Sequence, residues 1–188
     1  MFFLLGFLSL LYFLCLLCFH MTCMALVLRE LIPPLTARTP AGKTLRAWDY
    51  KQKRSLVIAF LHTGCRRCEG FVEKLAARAA ELAEREAQAL VVFAEAPALG
   101  VENLPAQVAV AADMSGRSQR AYLGDDAFGQ AGQERLGVFV ADRYGELYAQ
   151  WVAREEGGLP GVGEVLEWLG QIQVACEECG VSEWPAGS

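Results

Sequence analysis

The sequence predicts an α/β protein in which helices cover both faces of a mixed central sheet. Two continuous apolar runs, 56–61 and 89–94, are short enough to be strands buried on both faces. An amphipathic helical pattern that continues to Ala83 separates them, so the unit closes as a right-handed parallel crossover. Two later segments, 137–141 and 147–152, are joined by a glycine-containing turn and predict an antiparallel hairpin.

Length and composition are those of one domain. The chain has 188 residues and a net charge of −5 with both signs interspersed, which excludes a basic nucleic-acid-binding surface. We expect a leader (1–28), a folded domain (35–173) and a C-terminal tail (174–188). The other elements predicted within the domain are an N-terminal hairpin (35–38 and 43–48), a strand (107–112), a helix capped by Asp113 (114–122) and an amphipathic C-terminal helix (162–173).

The leader contains no charged side chain and is long enough to span a membrane as a helix. It lacks the basic start and the small-residue cleavage site of a secretory signal, so we expect an uncleaved anchor. The positive charges that follow it favour the cytoplasmic side for the domain, although a folded domain can translocate regardless. Alternatively, translation starts at Met21 or Met24, and the protein is cytoplasmic without an anchor.

Two cysteines lie where the first buried strand passes into the following helix. Cys65 and Cys68 are separated by Arg66 and Arg67. The unpaired N–H groups and the positive dipole end of a first helical turn favour a thiolate at Cys65. Cys68, one turn on, is within reach for a disulfide. A strand–CxxC–helix unit is typical of thioredoxin-like redox sites, while a pair of core cysteines or half a zinc site are the alternatives.

The segment 43–68 resembles the opening of the thioredoxin-like redoxin families. These are the alkyl hydroperoxide reductase/thiol-specific antioxidant group and the membrane-tethered thiol–disulfide oxidoreductases. The segment 137–146 resembles the strand and turn "F-h-h-D-x-x-G" of the same families, and the resemblance extends over about 35–170. Matches to the opening pattern are Gly42, Lys43, Asp49, Tyr50, Lys53, Phe60, Cys65 and Cys68.

This resemblance implies a thioredoxin-like fold with an N-terminal hairpin extension, and thiol chemistry without a cofactor. The main hypothesis is a thiol–disulfide oxidoreductase in which Cys65 is the nucleophile and Cys68 resolves the mixed disulfide. Arg66 and Arg67 support the thiolate. The implied partners are protein disulfides or small peroxides together with an unidentified thiol reductant.

A peroxiredoxin-like thiol peroxidase, an antioxidant enzyme, is the first alternative. Gly137 resembles the glycine that an arginine precedes in peroxiredoxins, and Arg135 is one residue displaced from that arginine. Arg135 is therefore a candidate for stabilising a thiolate or a peroxide. Thr63, however, lies two residues before Cys65, whereas the peroxidatic pattern places a threonine three residues before its cysteine.

A second CxxC pair lies in the tail, at Cys176 and Cys179. It is interpreted either as a mobile dithiol that reduces the Cys65–Cys68 disulfide in relay or as a structural disulfide. Four cysteines in two such pairs can also hold zinc tetrahedrally. A non-enzymatic metal-binding module that uses both pairs is therefore the third hypothesis, whereas the two redox hypotheses need no metal.

We expect the Cys65–Cys68 couple to be more oxidising than thioredoxin. Stabilising the thiolate stabilises the reduced form, and two arginines lie between the sulfurs. Equilibration with glutathione redox buffers measures the potential. A value below the roughly −270 mV of thioredoxin would contradict the arginine argument.

Overall fold

A seven-stranded mixed sheet organises the part of the chain that the computed structural model describes, residues 26–95, 103–128, 135–154 and 156–175. The strand order is β2-β1-β5-β4-β3-β6-β7. The three central strands β3, β4 and β5 are parallel, and all other neighbours pair antiparallel. The strands are β1 (Thr36–Arg38), β2 (Thr44–Arg46), β3 (Ser55–Leu61), β4 (Ala87–Phe93), β5 (Val108–Ala112), β6 (Leu136–Ala141) and β7 (Leu147–Ala153).

Helices cover both faces of this sheet, as the sequence predicts. The α-helices are α1 (Arg66–Ala77), α2 (Ala79–Glu84), α3 (Arg117–Leu123) and α4 (Val162–Val174), and 3-10 turns lie at Ala47–Tyr50, Asp125–Phe128 and Glu156–Gly158. Apolar residues of α1, α2 and α4 form one core with the sheet. On the opposite face, α3 and the segment that precedes and includes the first hairpin form a second core. This is an α/β thioredoxin-like arrangement.

Strand β3 lies between the two cores and explains the apolar run in the sequence. Val57, Ala59 and Leu61 belong to the core beneath α1 and α4, whereas the alternate residues belong to the other core. Because helices cover both faces of the sheet, side chains on either face of β3 are buried, and every residue from 56 to 61 is apolar. Phe60 contacts Tyr122 and Phe139, at ring-centroid distances of 5.1 Å and 6.2 Å respectively.

Two helices differ from their predicted bounds. The pattern that predicts one helix through Ala83 forms two, because the backbone turns at Arg78, where φ is −107° and ψ is 24°. The helix predicted from residue 114 begins at Arg117, after Gly116 in a left-handed conformation. Asp113 nevertheless caps it from outside, since its Oδ2 accepts the backbone N–H of Gln119 at 3.0 Å.

An N-terminal stretch of chain protects the outer edge of β7. The N–H of Arg29 donates to the carbonyl of Leu147, and the N–H of Leu147 donates to the carbonyl of Glu30, at 2.8 Å and 2.9 Å. These bonds occupy backbone groups that an edge strand otherwise leaves open to another chain. Arg29 adopts a left-handed φ of 69° there.

The predicted leader lies outside the described residues except for its last three, 26–28. Within the described parts of the chain, no helix has both the length and the apolar character needed to cross a membrane. The membrane anchor is therefore without support among these residues.

Gly137 in β6 is a position where the sheet permits no side chain. A Cβ built there would lie 2.5 Å from Leu123 Cδ2 and 2.8 Å from Phe139 Cε2, and both of these side chains are buried.

We expect Gly137→Ala to lower the free energy of unfolding by about 1–3 kcal/mol through overpacking. Urea unfolding measures this. Gly170→Ala is the control: it lies in α4 with open space around it, and we expect a gain of about 0.5–1 kcal/mol. Equal effects of the two changes would contradict the prediction.

A buried carboxylate organises the turn between β6 and β7. Asp142 Oδ1 accepts the N–H groups of Tyr144 and Glu146 at 2.9 Å and 2.8 Å. Arg29 forms an ion pair with Glu146 at 2.8 Å. Burial raises the pKa of Asp142, while these backbone hydrogen bonds and Arg29 oppose the rise. Burial, with a contribution from Asp142, also raises the pKa of Glu146, and Arg29 again opposes it.

Asp142→Asn is expected to weaken the pH dependence of stability. Because folding raises the carboxyl pKa, the folded state binds more protons than the unfolded state above about pH 4, and the free energy of unfolding falls as the pH rises through that window. Asparagine keeps an oxygen acceptor without the charge, so the fall should be smaller. Asp142→Ala removes the acceptor and should cost about 1–3 kcal/mol. Unfolding curves recorded from about pH 4 to 8 measure both effects, and parallel pH profiles for the wild type and Asp142→Asn would refute the assignment.

Candidate active site

The cysteine motif follows β3 at the end of the sheet where the three parallel strands have their carboxyl ends. Strand β3 ends at Leu61, and three intervening residues lead to Cys65, the N-cap residue of α1. Gly64 has φ of +72°, a left-handed conformation that suits glycine at this sharp turn. The strand–turn–helix junction therefore sets the position of Cys65 by backbone geometry.

Cys65 and Cys68 are joined by a disulfide, with their Cα atoms 5.2 Å apart. The backbone N–H of Cys68 donates to Cys65 Sγ at 3.0 Å. Cys65 thus takes the capping role that serine, threonine or aspartate commonly fills at a helix start. Cys65 is 7% exposed and Cys68 is 0% exposed, so Cys65 is the less buried of the two.

This geometry favours a negatively charged sulfur at Cys65 in the reduced state. A backbone N–H already points at Sγ, and the positive end of the α1 dipole lies at the same place. Cys68 lies beneath it in the core formed with α1 and α4. The pair therefore combines one sulfur near the surface with a second that can reach it from below.

Arg66 and Arg67 form the first turn of α1, and both are exposed. Within the described residues, neither guanidinium group takes part in an ion pair. Thr63 is exposed in the loop before Cys65. The structure thus brings the predicted residues Thr63, Arg66 and Arg67 to the same surface as Cys65.

Leu136 lies in the apolar surroundings of the cysteine pair. Leu136 is the first residue of β6. Because β6 runs antiparallel to β3, the start of β6 lies beside the end of β3, which leads to the cysteines. Leu136 is fully buried in the same core as Cys65 and Cys68. Leu136 is therefore part of the apolar core that also contains the disulfide.

Arg135 and Gly137 flank Leu136 and lie toward the opposite face of the sheet. Successive strand residues alternate between faces, and Gly137 abuts Leu123 of α3. Arg135 Nη1 donates to the carbonyl of Leu123 at 3.1 Å. This hydrogen bond ties Arg135 to the end of α3, across the sheet from the core that holds the cysteine pair.

The second cysteine pair, Cys176 and Cys179, lies outside the described residues. Among the residues that are described, no three histidine, cysteine, aspartate or glutamate side chains come together as metal ligands. The metal-binding hypothesis requires both pairs, so it stays an untested prediction.

Comparison with known proteins places this geometry in a fold family. No family of known proteins matches the sequence, and no curated protein matches it either. Solved structures do match. AhpC of Mycobacterium tuberculosis is 16% identical with a TM-score of 0.65, and the match covers 86% of this chain and 100% of that one.

Two mitochondrial peroxiredoxins are also similar in structure. The 2-Cys peroxiredoxin of Plasmodium falciparum is 13% identical, with a TM-score of 0.60 and coverage of 78% of this chain and 94% of its own. A yeast 1-Cys peroxiredoxin is 17% identical, with a TM-score of 0.67, and the match covers 79% of this chain and 77% of that one. The chain therefore has the thioredoxin-like fold in the form that these peroxiredoxins share, which confirms the predicted fold class.

Proposed function

We propose that this protein is a thiol–disulfide oxidoreductase that uses Cys65 and Cys68. The observation that carries the proposal is the disulfide at the start of α1, in which Cys65 Sγ accepts the N–H of Cys68. Cys65 is the nucleophile because it is the more exposed sulfur and the one that the helix start stabilises as a thiolate. Cys68 is the resolving cysteine because it is buried within reach.

The reaction is a two-electron exchange. The Cys65 thiolate attacks one sulfur of a substrate disulfide, that S–S bond breaks, and the departing thiolate takes a proton from solvent. Cys68 loses its proton and attacks Cys65 Sγ, which forms the Cys65–Cys68 disulfide and releases the second substrate thiol. The substrate disulfide is thereby reduced to two thiols. A thiol reductant, attacking the Cys65–Cys68 disulfide, then reverses these steps and restores the dithiol.

A thiol peroxidase is the second candidate, and the likeness to three peroxiredoxin structures favours it. In that reaction the Cys65 thiolate attacks the O–O bond of a peroxide and becomes a sulfenic acid, and an alcohol or water leaves. Cys68 then condenses with the sulfenic acid, which releases water and forms the disulfide. The position of Thr63, two residues before Cys65, counts against peroxide activation.

Two rates distinguish these functions. The reduced full-length protein is mixed with hydrogen peroxide or with a peptide disulfide, and formation of the Cys65–Cys68 disulfide is followed by stopped flow. We expect the exchange with the peptide disulfide to be the faster reaction, because Thr63 lies two residues before Cys65 and not three, as the peroxidatic pattern requires. Faster oxidation by peroxide would replace the oxidoreductase assignment with the peroxidase.

Cysteine variants assign the roles within the pair. Cys65→Ser should abolish the reaction with the disulfide, whereas Cys68→Ser should accumulate a mixed disulfide at Cys65 that mass spectrometry detects. A Cys176→Ser/Cys179→Ser variant is the matched control, since it removes a CxxC pair of the same spacing elsewhere in the chain. A mixed disulfide on Cys68 in the Cys65→Ser variant would reverse the assignment.

A further inference from the structure

Two arginines occupy the start of α1, where a helix disfavours positive charge. Arg66 and Arg67 are the first two residues of a 12-residue helix. The helix dipole is positive at that end, and the two guanidinium groups also repel each other. Both effects lower helix stability, so folding gives no reason for this choice of residues.

No ion pair holds these two side chains. Neither arginine forms one within the described residues, although Glu69 lies three residues after Arg66 on the same helix. Glu69 is half-buried, whereas Arg66 and Arg67 are both exposed. The segment 65–70 therefore carries two positive charges and one negative charge, in a protein whose net charge is −5.

We propose that Arg66 and Arg67 make this site selective for disulfides that carry carboxylates close to their sulfur atoms. This inference rests on the proposed oxidoreductase function and names its substrate class. Arg66 and Arg67 are exposed and follow Cys65 directly in the chain, so groups that flank the substrate sulfurs come close to both guanidinium groups during attack on Cys65. Carboxylates on the substrate are attracted there and lysines are repelled, which changes the rate of association.

The experiment compares three synthetic peptides that contain the same intramolecular disulfide flanked by Glu, Gln or Lys. Reduced full-length protein is oxidised by each peptide, and second-order rates are measured at low and at high salt. The decisive quantity is the ratio of the rates with the Glu and Lys peptides, since the reactivity of the Cys65 thiolate is common to both and cancels. We expect a ratio of about ten at low salt that falls toward one at about 1 M salt.

The variant Arg66→Gln/Arg67→Gln should reduce the low-salt ratio to near one. Its rate with the neutral Gln peptide shows that the variant is folded and retains thiol chemistry. The matched control is Lys43→Gln/Lys74→Gln, which makes the same change in net charge at two exposed positions away from the cysteines. This control should keep most of the wild-type ratio.

The outcomes separate the two proposals. Equal rates with all three peptides, or a ratio that the double arginine variant retains, would overturn the charge selectivity and leave the oxidoreductase function intact. No reaction with any peptide would overturn both. Oxidised glutathione is tested as a fourth substrate. A rate above that of the Glu peptide identifies a small anionic disulfide as the substrate class. A lower rate identifies a disulfide within an acidic polypeptide.

Discussion

The burial of β3 on both faces is the constraint on which the rest of the structure depends. Val57, Ala59 and Leu61 belong to one core, and Leu56, Ile58 and Phe60 belong to the other. A one-residue shift in register would exchange the two sets, so the pairing with β4 and β6 is strongly specified. Because these pairings fix the position of β3, they also fix where the short loop after Leu61 begins and therefore where Cys65 lies at the start of α1.

The chemistry of the site follows from placing a cysteine where a capping residue normally lies. A hydroxyl or carboxylate at the N-cap accepts a backbone N–H, and Cys65 Sγ accepts one here. The same hydrogen bond that helps to begin α1 therefore stabilises a thiolate. Cys68 is fully buried in the apolar core that also contains Leu136.

The two ends of the sheet serve different purposes. At one end, the exposed arginines of α1 form no ion pair with the described acidic residues and lie beside the Cys65–Cys68 disulfide. At the other end, Asp142 is buried and accepts backbone N–H groups of the β6–β7 turn, while Glu146 pairs with Arg29 of the N-terminal segment. The carboxylates at this second end hold a turn and a chain segment in place, whereas the arginines at the first end are open to solvent.

The sequence by itself determined the strands, the order of α and β elements and the position of Cys65 and Cys68 at a helix start. These features are local: apolar runs, amphipathic periodicity and turn residues depend on neighbours a few positions away. The break at Arg78 and the late start of α3 were missed, because both depend on how the backbone is packed and not on periodicity.

Only the tertiary structure decided which distant residues meet. Strand pairing placed Leu136 in the same core as the cysteines, whereas Arg135 donates to the carbonyl of Leu123, a residue of the core on the other face. The resemblance made Arg135 a candidate for stabilising a thiolate or a peroxide, and the structure adds a hydrogen bond from its guanidinium group to the carbonyl of Leu123, at the end of α3. Contacts between residues far apart in the chain arise from such pairings, and no local pattern contains them.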